Sequence, residues 1–463
     1  MFAAREEKGD ALALIGAGEA LTFAALVERV EDCLARFDRL HATLDGAQPI
    51  ALHALPRPAT IYWIYACLAR RIPLVLLHPR ATAAERRQLA HAAGAAWAIE
   101  GEQIEALEVE PAFRERWRGW SEQGAMALIF TSGSEGRARG VLLKREACLA
   151  AARASAAHLG SESDDRWLLC LPLAHAGGLA LLLRALYQRQ PLVLSDSLSF
   201  EPEKIAAAIE SHRVRCVSFV PTMVERMLHE LPAYRPPPWL RLVLVGGAAA
   251  APSMLQEARR RGYPLRASYG MSETLGQVAT QREGEDLDPL PGVELRIREE
   301  RIELRSPTMM MGYLEEGELH PAQDAEGWLR TGDRGELIEG RLRVLGRFGD
   351  LVHSGGEKVD PLEVEHLLAE VAEVRALCVF GLKDRHWGEV VAAAVVAEMP
   401  LEALLPKLQA RLRAHLAPYK HPRRWVALTS LVYNATGKLD RRATQRLALE
   451  SLQKSCGVVG SET

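Results

Sequence analysis

Apolar positions along this chain repeat in two ways. Between residues 11 and 120, Ala/Leu-rich stretches with helical spacing, such as FAALVERVEDCLARF, alternate with short apolar runs such as PLVLL at 73–77. That rhythm predicts helices layered on a mostly parallel sheet. It continues through WLLCL (167–171), PLVLS (191–195), VRCVSFV (214–220) and LRLVLV (240–245), which read as buried strands because they are short, continuous and β-rich. From Pro289 the texture changes: VELRIREERIELRS and ELIEGRLRVLGR alternate apolar with polar residues, predicting antiparallel sheet or a small barrel. Beyond GRFGD (346–350) helical and strand patterns mix again in PLEVEHLLAEV, RALCVFGL, VVAAAVVA and LEALLPKLQARLRAHL, enough for a small α+β domain. The expected class is α/β, with a large N-terminal domain of layered parallel-rich sheets and helices that includes a small β-barrel-like subdomain (1–348). A small α+β C-terminal domain (349–463) follows.

Composition and charge constrain that picture without changing it. The chain has 463 residues, 48% hydrophobic and 25% charged, the profile of an ordinary globular protein with room for two or three domains. Its formal charge of −3 is nearly balanced and its Lys and Arg are dispersed, so no basic stripe points to nucleic acid. Cys33, Cys67, Cys148, Cys170, Cys216, Cys378 and Cys456 stand singly, with no CxxC pair. This argues against a disulfide framework or structural zinc and fits a reducing cytoplasm. The start MFAAREEKGD has no apolar h-region, and no run approaches the ~20 apolar residues that span a bilayer. Neither export nor stable membrane insertion is expected, and an oligomer remains open.

The first candidate chemistry follows the run AMALIF (125–130), which predicts a strand. The segment FTSGSEGRARGV (130–141) is too rich in glycine and hydroxyls to extend that strand far. Successive backbone N–H groups, with the hydroxyls of Thr131, Ser132 and Ser134 and the close approach allowed by Gly133 and Gly136, suit a phosphate-binding nest. Arg137, Arg139 and Lys144 supply positive charge. The segment is not a GxxxxGK[ST] loop, because no Lys-Ser/Thr pair closes it. On composition alone, a plain strand connection is the alternative.

This segment resembles the phosphate loop of the adenylate-forming superfamily, which includes acyl-CoA synthetases, peptide-synthetase adenylation domains and luciferases and whose usual form reads TSGSTGxPKGV. Six further segments match that family in order and span nearly the whole chain. LPLAHAGGLA (171–180) puts His175 where the resemblance implies a residue lining the carboxylate pocket and gating thiol entry. VGGAAAAP (245–252) puts Gly246, Gly247 and Ala248 at one wall of an adenine site. SYGMSETLG (268–276) is similar to the YGxTE motif, implying Tyr269 over the other adenine face, Gly270 at the substrate, Ser272 at the α-phosphate and Glu273 on Mg2+. GWLRTGDRGEL (327–337) carries Asp333 for the ribose hydroxyls. GRFGDLVHSGGEKVDPLEVE (346–365) carries Arg347, also for the ribose, then Gly349 as the pivot of a mobile C-terminal domain, and Gly355 and Gly356 beside a channel for the pantetheine arm of CoA. NATGKLDRRA (434–443) carries the catalytic Lys438. Each segment alone has a plain alternative: a core histidine, a strand-to-helix turn, an Asp turn former.

The resemblance implies ATP-dependent activation of a small carboxylic acid followed by transfer of the acyl group to coenzyme A, with Mg2+ as cofactor. The residue types suit that chemistry. A carboxylate is a poor electrophile and repels phosphate, so a compact cation such as Lys438 is needed between them. Three loop positions depart from the family form: Glu135, Ala138 and Arg139. Glu135 leaves three readings open: a solvated side chain, a second Mg2+ contact, or a weakened nucleotide site. Within the superfamily, LHPRATAAE (77–85), LPLAHAGGLALLLRAL, SFVPTMVERML (218–228) and ATGKLDRR look most like ligases for 2-succinylbenzoate. Arg184, on the helix expected after His175, is the candidate for that dianion's second carboxylate, the alternative being a surface arginine. A ligase for another aryl or medium-chain acid, or a non-catalytic nucleotide- or adenylate-binding protein, are the competing readings.

Overall fold

The short Val/Leu runs become interior strands because, once flanked by helices on both faces, such strands keep no polar side to turn to water. The computed structural model describes residues 2–16, 18–39, 48–132, 138–195, 197–354, 357–385, 387–434 and 437–456. Among these, one sheet has nine strands. Leu12–Gly16, Leu192–Leu194, Trp167–Leu169, Cys216–Phe219, Leu242–Val245 and Leu265–Met271 pair in parallel through its centre. Glu19–Thr22 on one side, and Gly276–Thr280 with Asp288–Pro289 on the other, add antiparallel edges.

A second sheet of eight described strands has a parallel centre of Trp97–Glu100, Ile50–His53, Leu74–Leu77 and Ala125–Ser132. The hairpin strand Ala138–Lys144 and the late strands Gly312–Glu315 and Glu318–His320 extend it antiparallel. One hydrophobic cluster joins the two sheets, drawing Leu14, Trp167 and Leu192 from the first and Ile50, Leu74 and Ile129 from the second.

The alternating segments after Pro289 form the antiparallel sheet that their period predicts, from Glu294–Arg298, Arg301–Arg305, Leu329–Ile338 and Arg341–Arg347. Past Arg347, five strands, Val352–Ser354, Glu357–Val359, Val374–Asp384, Gly388–Ala397 and Arg424–Ala427, carry the helices Pro361–Leu368, Leu401–His415 and Arg441–Cys456. The two clusters built there draw only on residues from 352 onward. The molecule is thus α/β, with a large N-terminal part and a smaller C-terminal one.

What positions the site is where the parallel strands end. His78 follows the carboxyl end of a second-sheet strand and Thr131 lies in the last residues of another, while His175, Gly246 and the first turn of the helix that carries Thr222 follow carboxyl ends in the first sheet, where Tyr269 lies near the end of its own strand. In open parallel sheets that edge is where ligands bind, because loops there converge while the strands beneath stay fixed. The two edges meet: the rings of His78 and His175 lie 5.0 Å apart.

Candidate active site

The wall assigned to adenine is built by close backbone approach. Gly246 follows strand Leu242–Val245, and a Cβ there would lie 3.0 Å from the Ser268 carbonyl oxygen. Gly247 is left-handed, at φ +87°, and a Cβ would sit 3.3 Å from Lys438 Cε. Ala248 beside it is exposed. Gly270 is more constrained still: a Cβ would fall 1.9 Å from the Gly276 carbonyl oxygen, so the bulged hairpin of Leu265–Met271 and Gly276–Thr280 closes only around a glycine.

The proposed ribose and adenine residues are joined to one another. The Tyr269 hydroxyl donates to Asp333 Oδ2 at 2.8 Å, and Arg347 Nε donates to Asp333 Oδ1 at 2.9 Å. Asp333 and Arg347 face each other directly across strands Leu329–Ile338 and Arg341–Arg347. Burial, and then the charge of Asp333, push the Tyr269 phenol well above its ordinary range, so it stays a neutral donor.

Ser272 and Glu273 sit in a short 3-10 turn, Ser272–Thr274, held by Thr274 Oγ1 donating to the Met271 and Gly276 carbonyls. The Tyr313 hydroxyl donates to Glu273 Oε1 at 2.7 Å, which fixes the carboxylate while leaving its second oxygen for another partner. No cluster of three metal-ligating side chains occurs among the described residues. That donor set fits Mg2+, which binds through one or two carboxylates plus substrate phosphates rather than in an all-protein cage. Above Tyr313 lies Arg139, its guanidinium carbon 4.4 Å from the ring centre and its Nε paired with Glu315. Thr131 Oγ1 donates to the Arg139 carbonyl at 3.3 Å across the antiparallel pair Ala125–Ser132/Ala138–Lys144. Gly133, Ser134, Glu135, Gly136 and Arg137 lie outside the described residues, as do Gly355 and Gly356.

Lys438 reaches this cleft from the C-terminal part. Its loop is clamped at the base: Asn434 Oδ1 accepts from Lys438 N at 3.0 Å, and Asn434 N donates to the Lys438 carbonyl at 2.8 Å. Burial and then Arg347 lower the affinity of the ammonium for its proton, while Glu273 and Asp333 pull it back. The lysine is therefore within electrostatic reach of three other candidate residues.

His175 caps the helix Ala176–Gln188, and its ring Nε2 is buried without a partner among the described residues. Burial first, then His78, Lys438 and Arg80, push its pKa down to about 3. It is a neutral imidazole that lines the cleft without setting a second cation against Lys438. Arg184 is not a surface arginine: it is 3% exposed, with its guanidinium carbon 3.9 Å from the Trp167 ring centre. Nη1 donates to Ser155 Oγ at 2.8 Å and to Gln277 Oε1 at 3.3 Å, while Nε and Nη2 have no partner among the described residues. Gln277 is the residue paired with Gly270, so Arg184 lies directly behind the hairpin that carries that glycine. Burial pulls its pKa down to about 10. Gly349 lies in the 3-10 turn Phe348–Asp350 with nothing within 4 Å of a would-be Cβ, so this arrangement places no steric demand for glycine there.

Sequence reasoning missed Tyr313, His78 and Thr222. Tyr313 carries no motif and meets Glu273 only by tertiary contact, whereas His78 and Thr222 fall inside the phrases LHPRATAAE and SFVPTMVERML.

Residues 2–314 match the family model of the AMP-binding enzyme, and residues 363–438 match that of the AMP-binding enzyme C-terminal domain. The chain is 32% identical to a 2-succinylbenzoate–CoA ligase of Bacillus pumilus, over 93% of this chain and 94% of that one. The O-succinylbenzoate coenzyme A synthetase of Bacillus subtilis in complex with AMP superposes with a TM-score of 0.81 at 28% identity, covering 95% of this chain and 96% of that one. The same synthetase with its acyl-adenylate intermediate gives 0.80, again at 28% identity and over 95% and 96%. Its complex with ATP and magnesium also gives 0.80 at 28% identity, over 96% and 98%.

Two expectations follow from the geometry. Gly270→Ala must force the Gly276 strand aside, costing about 1–3 kcal/mol by overpacking; a urea denaturation midpoint equal to that of the unsubstituted protein would show the hairpin is looser than described. His175 has a folded pKa near 3 against an ordinary 6.5, so between those values the unfolded chain binds a proton that the folded chain refuses. Its stabilising contribution is complete above the upper value and is lost as pH falls toward the lower. His175→Phe should therefore shrink the stability difference between pH 7.5 and 5 by at most about 2 kcal/mol, read from urea denaturation at both pH values.

Proposed function

The chain belongs to the AMP-binding enzyme family, and from that premise we propose that it is an AMP-forming acid–CoA ligase whose substrate is 2-succinylbenzoate, a step of menaquinone or phylloquinone synthesis. The reaction runs in two halves. The acid attacks the α-phosphorus of ATP to give an acyl adenylate and pyrophosphate; the CoA thiol then attacks the acyl carbon and releases AMP. The Bacillus subtilis synthetase has been seen with AMP, with ATP and magnesium, and with its acyl-adenylate intermediate, in keeping with an enzyme that uses ATP, CoA and Mg2+.

One observation carries this reading. Lys438, delivered by the C-terminal part, lies over Gly247 and shares an electrostatic environment with Glu273, Asp333, Arg347 and His175. A positive point charge there lessens the repulsion between carboxylate and phosphate and stabilises charge that grows as the P–O bond forms. Tyr269 and Asp333 would hold the nucleoside, with Arg347 on the ribose side. Thr131, Ser132, Gly133, Ser134, Gly136 and Arg139 would hold the phosphates. Glu273 would hold Mg2+, which when bound offsets the charge of the departing pyrophosphate. In the second half, rotation at Gly349 would withdraw Lys438 and bring Gly355 and Gly356 to the same carbonyl; a glycine pivot offers many backbone angles at low cost.

Arg184 supports a dianionic substrate. A buried guanidinium with two unpartnered nitrogens and no ion pair among the described residues, only the more distant charge of Asp165, is costly unless an anion completes it, and its hydrogen bond to Gln277 sets it behind Gly270. Among the described residues no helix is long and apolar enough to cross a membrane, and six described cysteines are free, which supports a cytoplasmic setting.

Two measurements test the reading. In ATP–pyrophosphate exchange over a panel of acids, 2-succinylbenzoate should be activated best and Lys438→Ala should lower exchange by about 10²–10³-fold. Benzoate or fatty acids reacting while 2-succinylbenzoate stays inert would remove the substrate assignment. Arg184→Lys loses the planar fork and should raise KM for 2-succinylbenzoate by about tenfold, since a hydrogen bond to a charged group contributes about 1.5–3 kcal/mol. Benzoate, lacking the second carboxylate, should show little change, and an equal rise for both acids would reduce Arg184 to a packing role.

A further inference from the structure

The lysine loop is held from outside as well as from within. Helix Pro221–Glu230 of the large N-terminal part starts at the carboxyl end of strand Cys216–Phe219, with no side-chain cap. Thr222, in its first turn, directs its hydroxyl outward and donates to the Gly437 carbonyl oxygen at 2.8 Å. Gly437 lies flat against this corner: at φ +75°, a Cβ would meet Thr222 Oγ1 at 3.1 Å and Val220 Cγ2 at 3.4 Å.

The carbonyl that Thr222 grips and the N–H of Lys438 belong to one planar peptide unit. That unit is therefore pinned at both ends, on the oxygen by Thr222 from the large part of the molecule and on the nitrogen by Asn434 Oδ1 from its own loop at 3.0 Å. With the plane fixed, the lysine Cα position is set and its side chain is sent past Gly247, 3.3 Å from where a Cβ would stand. The Asn434 contact is internal to the loop and travels with it. The Thr222 contact instead joins the two parts, in the arrangement that brings Lys438 into the cleft.

We propose that Thr222 is a positioning residue for adenylate formation: its hydroxyl latches the Gly437–Lys438 peptide to the large part of the molecule and so aims the Lys438 ammonium, and it is released before thioester formation. The proposal rests on the acid–CoA ligase reading above. No atom of Thr222 needs to touch substrate.

The test separates the half-reactions in the full-length enzyme. ATP–pyrophosphate exchange with 2-succinylbenzoate reports the first, and thioester formation from chemically prepared 2-succinylbenzoyl adenylate plus CoA reports the second. Thr222→Val keeps the shape and removes the donor, so it should lower kcat for exchange about 3- to 10-fold, the range of one neutral hydrogen bond. It should leave thioester formation from supplied adenylate unchanged or faster, while Thr222→Ser, which keeps the hydroxyl, restores exchange. Exchange at the unsubstituted rate in Thr222→Val, or an equal loss in both half-reactions, would overturn the latch. Failure of the unsubstituted enzyme to exchange with any acid would instead overturn the ligase reading, so the two failures are distinguishable.

Discussion

A single ammonium has to be brought from one end of the chain to the middle of a cleft built by another, and most of the site's geometry follows from that demand. Lys438 lies over the Gly246–Gly247 turn, where any larger residue at 247 would meet its stem. It sits between Arg347, which disfavours its charge, and Glu273 and Asp333, which favour it. Like charges in a partly desolvated cleft repel strongly, and several of the described basic groups around the cleft are neutralised. Arg347 is paired with Asp333, Arg139 with Glu315, and His175 is kept neutral first by burial, then by His78 and Lys438.

The two sheets supply the frame. Their parallel centres are buried on both faces and tied through one hydrophobic cluster, so the turns at their carboxyl ends are fixed relative to each other although they come from distant parts of the sequence. Contacts across the cleft, His78 with His175 and Tyr313 with Glu273, are made between elements of different sheets. The antiparallel sheet after residue 293 adds Asp333 and Arg347 from neighbouring strands in direct register, so their ion pair is a product of strand pairing rather than of loop geometry.

Arg184 shows how burial changes the meaning of a residue. On a helix surface it would be one solvated cation among many; stacked on Trp167 and bonded to Ser155 and Gln277, it is a desolvated guanidinium behind the hairpin that carries Gly270. Two of its nitrogens have no partner among the described residues, a costly state for a buried guanidinium.

The sequence by itself determined the strands, because period and composition report local burial: PLVLS, VRCVSFV and LRLVLV all became interior strands, and the alternating segments past Pro289 became antiparallel ones. It also offered Tyr269, Glu273, Asp333, Arg347 and Lys438 as candidates, since they stand at recognisable offsets in short phrases. Tertiary structure alone decided which of them meet. No local pattern joins the first strand Leu12–Gly16 to one near residue 192, gives Glu273 its tyrosine forty positions later, or buries Arg184 rather than exposing it. The Thr222–Gly437 bond spans 215 residues and joins two separately cored parts of the chain. Periodicity records which face of an element turns inward; partners across a cleft depend on how whole sheets stack, and that is set by the sum of many weak apolar contacts that no short stretch encodes.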